Sequence, residues 1–125
     1  MGGNSSRARG GSDYLGVGKI GEVVVVEGSR GQHNLPFLSP DGKARIRFDA
    51  SGTFRQMRIY DKTTGRPLFD LDYTFEPALS TGYEPVFHYH EWTPDGTRGE
   101  AQPGPKKLYE EYKQYLKGVK FDEKR

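Results

Sequence analysis

The sequence predicts an α+β domain: a four- to five-stranded antiparallel β-meander with a C-terminal helix packed on one face. Three observations carry this. Runs that alternate apolar and polar residues are separated by short Gly-, Pro- and Asp-rich turns, the mark of half-buried strands joined by hairpins. The turns are too short for parallel crossovers. After Pro103 and Pro105 the apolar spacing changes from two to three and four, as in an amphipathic helix.

The elements follow in order. Residues 1–18 are rich in Gly, Ser and Arg and read as a flexible leader or linker, with the folded domain over 19–118 and a charged tail over 119–125. Glu22-Val23-Val24-Val25-Val26-Glu27, bounded by Gly21 and Gly28, is a β-branched run whose four valines suggest burial on both faces or an edge strand docked to another element. Further strands are expected over 44–49, 53–60, 68–75 and 85–92. They are punctuated by Ser39-Pro40-Asp41-Gly42, Ala50-Ser51-Gly52, Thr63-Thr64-Gly65-Arg66-Pro67 and Thr93-Pro94-Asp95-Gly96. The helix is expected over 106–118, with Leu108, Tyr109, Tyr112, Tyr115 and Leu116 on its apolar side and Gly118 as its stop.

Composition limits the function classes. At 125 residues the chain is one domain, and its 33% apolar content implies a modest core in which eight Tyr, seven Phe and one Trp supply much of the contact area. The absence of cysteine removes disulfides, thiolate metal sites and thiol catalysis. No apolar run is long enough to span a membrane, and residues 1–18 lack the apolar stretch of a signal peptide. A cytoplasmic location is compatible with this composition. No phosphate-cradling loop, dinucleotide fingerprint, His-Glu-x-x-His or nucleophile elbow is present.

Two strands carry the chemistry. In Phe69-Asp70-Leu71-Asp72-Tyr73 and Phe87-His88-Tyr89-His90, rings and aliphatics alternate with ionisable groups. Side chains of a strand alternate between faces, so Asp70, Asp72, His88 and His90 share one surface if the strands are neighbours. The same parity brings Arg45, Arg47, Gln56, Arg58, Tyr60 and Trp92 to that surface. The helix is expected to cover the other face, with Ile46, Phe48, Met57, Ile59, Phe69, Leu71, Tyr73, Phe87 and Tyr89, leaving the polar face wet.

Three readings of the polar face stay open. His88 and His90 could exchange protons as general base and acid, with Asp70 or Asp72 orienting a ring and Arg45, Arg47 or Arg58 steadying phosphate charge. Neutral imidazoles and a carboxylate could hold a first-row divalent ion. The cross-strand pairs could equally serve the sheet alone. Tyr60 and Trp92 offer stacking surfaces for bases, Arg98 follows the last strand closely enough to reach the face, and His33 lies in the loop Gly31-Gln32-His33-Asn34-Leu35-Pro36 as a candidate third imidazole.

The series Met57-Arg58-Ile59-Tyr60-Asp61, Phe69-Asp70-Leu71-Asp72-Tyr73 and Pro85-Val86-Phe87-His88-Tyr89-His90-Glu91-Trp92, ending at Arg98-Gly99, resembles small C-terminal domains of phage minor head proteins and bacterial polymorphic toxins. The resemblance covers residues 30–117, and the glycine-rich leader resembles the linker joining such a domain to its carrier. It implies a nucleic-acid-cleaving activity in which Asp70, Asp72, His88, His90 and Arg98 match the pattern, while Phe75-Glu76-Pro77 departs from it. The expectation is therefore a metal-independent ribonuclease. His88, His90, Asp70 and Asp72 would be catalytic, Arg45, Arg47, Arg58, Tyr60, Trp92 and Arg98 would bind substrate, and no cofactor is needed. The alternative is a non-catalytic module binding a phage particle or a partner. RNA, a phage head protein or an immunity protein are the corresponding partners, and the location that the resemblance implies is the cytoplasm or a phage virion.

Overall fold

A computed structural model describes residues 14–28 and 35–121. Seven strands form one sheet in chain order: β1 (Tyr14–Ile20), β2 (Val23–Gly28), β3 (Arg45–Phe48), β4 (Phe54–Tyr60), β5 (Pro67–Thr74), β6 (Val86–Glu91) and β7 (Gln102–Pro103). Helix α1 (Lys106–Tyr112) follows, continued by a 3-10 turn over Lys113–Tyr115. The α+β class and the meander over β3–β6 agree with the sequence reading, but the strand count exceeds the expected four to five. β1 is glycine-rich and β7 is two residues long with a proline, so neither carries the alternation that reveals a strand. β1 begins inside the stretch read as the leader, and residues 1–13 lie outside the described residues.

One pair departs from antiparallel order. β2 runs parallel to β3, with Val24 opposite Arg45 and Val25 opposite Ile46. Parallel neighbours need a connection of a dozen or more residues, and the segment 29–44 between these strands is long enough. The other neighbouring pairs are antiparallel. At the β1–β2 hairpin Ile20 faces Val23 across a two-residue turn, and Gly21 takes the left-handed conformation that such a turn needs.

The helix packs where the alternation places it. Val23, Ile46, Phe54, Met57, Leu71, Tyr73, Phe87 and Leu116 form the buried cluster, with Leu108, Tyr109, Tyr112 and Tyr115 packed against it. Edge-to-face contacts join Phe69 to Tyr112 and Phe87 to Tyr109. The helix ends earlier than Gly118 because the chain turns back to the sheet: the Phe54 amide donates to the Lys117 carbonyl at 2.8 Å, and Leu116 enters the core. Val119 and Phe121 also pack against the cluster, Phe121 stacking on Tyr109.

The opposite face is not wet. Arg58, Tyr60, Asp70, Asp72, His88 and His90 are all buried. Leu35 and Pro36 fold over part of this face: Arg58 donates to both their carbonyls, and the Tyr60 hydroxyl donates to that of Pro36. Val26 is buried at a β2 position of the same parity, so the valine run does bury residues on both faces.

Candidate functional site, a buried aspartate–histidine–arginine cluster

Register brings the two chemistry-bearing strands together. Asp70 lies opposite His90 and Asp72 opposite His88 across β5–β6, while Arg58 lies opposite Asp70 and Gln56 opposite Asp72 across β4–β5. Two rows of polar side chains therefore cross the sheet, Arg58–Asp70–His90 and Gln56–Asp72–His88. Facing side chains of neighbouring strands are within contact distance, so alternation within each strand is sufficient to assemble the cluster.

Asp70 is fully buried and held from two sides. Arg58 grips it in a two-point fork, and Arg98 Nε donates to Asp70 Oδ2 at 2.9 Å. Arg98 also bridges to Asp72, with Nη2 2.6 Å from Oδ2. The guanidinium planes suit carboxylates in this way, and charge-assisted bonds offset part of the cost of burying both aspartates. Partial burial works against the charge of Arg98, yet the carboxylates of Asp72 and Asp70 hold its pKa above the ordinary arginine value.

The imidazoles are fixed through their inner nitrogens. His88 Nδ1 lies 2.8 Å from the Val86 carbonyl, and His90 Nδ1 lies 2.9 Å from the Gly99 carbonyl. A carbonyl only accepts, so each Nδ1 carries the proton and each Nε2 is turned toward Asp72. His88 Nε2 lies 3.7 Å and His90 Nε2 3.5 Å from Asp72 Oδ2. Burial lowers the pKa of His88 below the ordinary histidine value and outweighs the opposing influence of the Val86 carbonyl and the Asp72 charge.

The substrate-binding expectation divides. Arg58 and Arg98 join the cluster. Arg45 does not: it turns to the loop, donating to the Lys43 carbonyl and to Asp41 at 3.1 Å. Its short strand ends beside that loop, where an acidic partner lies within four residues. Arg47 faces Gln56, one strand further from Asp72. Tyr60 is buried, so it offers no stacking surface for a base. Trp92 is half-buried, its ring edge-on to Phe37 and covered by the Arg58 guanidinium at 4.9 Å. His33 lies outside the described residues. The carbonyls of Leu35, Pro36, Val86 and Gly99 belong to the site as much as any side chain does. As backbone groups they leave no residue-type signal, although the glycine at position 99 is one trace of the close approach there.

A cavity of about 470 Å³ lies elsewhere, lined by Tyr73, Thr81, Glu84, Val86, Phe87 and Phe121, and none of the predicted site residues lines it. Among the described residues no helix is long and apolar enough to cross a membrane. No family model, curated protein or solved structure matches the chain, so the site is read from its own geometry.

Proposed function

We propose that the chain is a non-catalytic binding module, carried on a phage- or toxin-type protein, in which the aspartate–histidine–arginine cluster is an internal structural element. The observation that carries this reading is burial. The side chain of Asp70 is 0% exposed and that of His88 is 1% exposed. Acid–base cleavage of RNA requires both imidazoles to come within hydrogen-bonding reach of a scissile phosphate. Here both Nε2 atoms are directed at a carboxylate inside the domain, and Arg58 and Arg98 already balance the two aspartates.

The binding surface lies at the end of this face. Phe37, Leu38 and Leu68 are exposed large apolar residues. Phe37 packs on Trp92, and the Trp92 amide donates to the Leu68 carbonyl, so an apolar patch gathers around one tryptophan. Exposed apolar groups gathered in this way suit a protein partner, for which a phage head protein is the class that the non-catalytic reading implies.

One observation favours the ribonuclease reading. Each imidazole is fixed by its Nδ1, and Arg98, whose side chain is 35% exposed, gives the cluster its route to solvent. A single experiment separates the readings: incubation of the purified chain with a mixed-sequence RNA, beside its His88→Gln and His90→Gln variants. The binding-module reading expects no cleavage from any of the three. It also expects Leu68→Asp to abolish co-purification with the product of a neighbouring gene without lowering the melting temperature. Cleavage lost in both histidine variants overturns it in favour of the ribonuclease.

A further inference from the structure

We propose that Asp72, His88 and His90 form a binding site for a first-row divalent cation of the zinc class, for which Arg98 competes at the Asp72 carboxylate. The inference is independent of any partner and stands on the hydrogen-bond directions within the cluster.

With Nδ1 committed as donor to the Val86 and Gly99 carbonyls, each ring in its neutral form presents an Nε2 lone pair. Both lone pairs approach Asp72 Oδ2, which is itself an acceptor. Acceptors gathered in a buried site repel one another unless a cation or a proton donor stands between them. Arg98 Nη2 supplies a donor to Asp72 Oδ2, but His90 Nε2 and Asp72 Oδ1, both buried, have no hydrogen-bond partner among the described residues.

The spacing fits a small cation. Zinc bound at about 2.0–2.1 Å in tetrahedral geometry holds its donors roughly 3.3 Å apart. The two imidazole–carboxylate separations are 3.5 and 3.7 Å, and one ligand atom from each of the three residues lies within 4.8 Å of the others. Donation from the far ring nitrogen to a backbone carbonyl is the arrangement that orients metal-binding histidines and raises their basicity. Two imidazoles and one carboxylate suit zinc and its first-row neighbours better than calcium or magnesium, which prefer oxygen donors. All three residues stand on paired strands, two of them directly opposed, so the site is built on rigid elements.

Arg98 sets the competition. A dication at Asp72 Oδ2 would repel the guanidinium bonded to the same oxygen. Arg98 can release that bond and retain its Nε contact with Asp70, since its side chain is one-third exposed. Its loss should therefore strengthen metal binding.

The test is titration of the chelator-treated full chain with zinc by calorimetry, with cobalt(II) by visible absorption, and with zinc again while the imidazole nitrogens are observed by NMR. The expected result is one equivalent bound, a tetrahedral cobalt spectrum, and zinc-induced shifts of His88 and His90 Nε2 with both Nδ1 protons retained. His90→Gln should weaken binding by roughly tenfold or more, at least the loss seen when an outer-shell partner is removed. Arg98→Gln should tighten it. The proposal is overturned by no binding at one equivalent, by coordination through Nδ1, by an octahedral cobalt spectrum, or by affinity that survives His90→Gln. If His88→Gln does not fold, the wild-type Nε2 shifts and the His90 variant still decide the matter.

Discussion

Arg58 and Asp70 form a buried, two-point ion pair across β4 and β5, with Nε 2.7 Å from Oδ1 and Nη2 3.0 Å from Oδ2. Removing one partner of such a pair leaves a charge in a medium that cannot solvate it. Arg58→Ala should therefore cost about 3–5 kcal/mol, while replacing both partners with apolar residues (Arg58→Met together with Asp70→Leu) should recover much of that loss. Urea unfolding of the single and the double variant checks both values. A double variant as unstable as the single one would show that the Arg98–Asp70 bond and the Leu35 and Pro36 carbonyls outweigh the Arg58–Asp70 pair itself.

Gly99 is placed against β6 so closely that a Cβ there would lie 2.7 Å from the Glu91 carbonyl oxygen. Its own carbonyl accepts from His90 Nδ1. Gly99→Ala should destabilise the domain by about 1–3 kcal/mol, in the range of a strained backbone with a weakened buried hydrogen bond. The His90 tautomer should also lose definition, which imidazole nitrogen NMR would detect. A variant as stable as the wild type with an unchanged His90 signal would disprove the link.

Asp49 organises the β3–β4 turn. The Ser51 hydroxyl, the Thr53 amide and Arg55 all donate to its carboxylate, the Ser51 bond foremost, and its pKa lies far below the ordinary aspartate value. A depressed folded-state pKa contributes stability that is present above the unfolded value and is lost as pH falls toward the folded one. Asp49→Asn should lower the melting temperature at neutral pH, and the gap from wild type should narrow below about pH 4. A gap that stays constant across that range would mean that the carboxylate charge is irrelevant to the turn.

Leu116 enters the core beyond the 3-10 turn and is buried among β-sheet residues. Leu116→Ala should cost about 2–5 kcal/mol. The loss should appear as a lower urea midpoint of one cooperative transition, because the segment after α1 belongs to the same core. Separate unfolding of the C-terminal segment would contradict this.

How much was legible in the sequence depends on which property is asked for. Alternation in Phe69–Tyr73 and Phe87–His90 is enough to put Asp70, Asp72, His88 and His90 together, and the observed register pairs them as Asp70 with His90 and Asp72 with His88. The helix-facing set, from Ile46 to Tyr89, follows from the same parity. Parity specifies a face but not what lies over it. The burial of Arg58 and Tyr60 depends on where the chain at Leu35 and Pro36 docks, a long-range event with no local pattern. The side to which Arg45 turns was hidden for a related reason, since a flexible side chain takes the nearest carboxylate, here Asp41. β1 and β7 became strands by pairing with established neighbours, which overrides weak intrinsic preference.

The parallel junction of β2 with β3 should divide the sheet kinetically. β2 and β3 share two register pairs, whereas β4 and β5 share five and β5 and β6 share six. The connections from β3 to β6 close short loops, but the β2–β3 contact must wait for segment 29–44 to be spanned. The meander should thus form early and exchange slowly. The N-terminal hairpin should dock last and open first, and its amides should exchange with solvent well before those of β5.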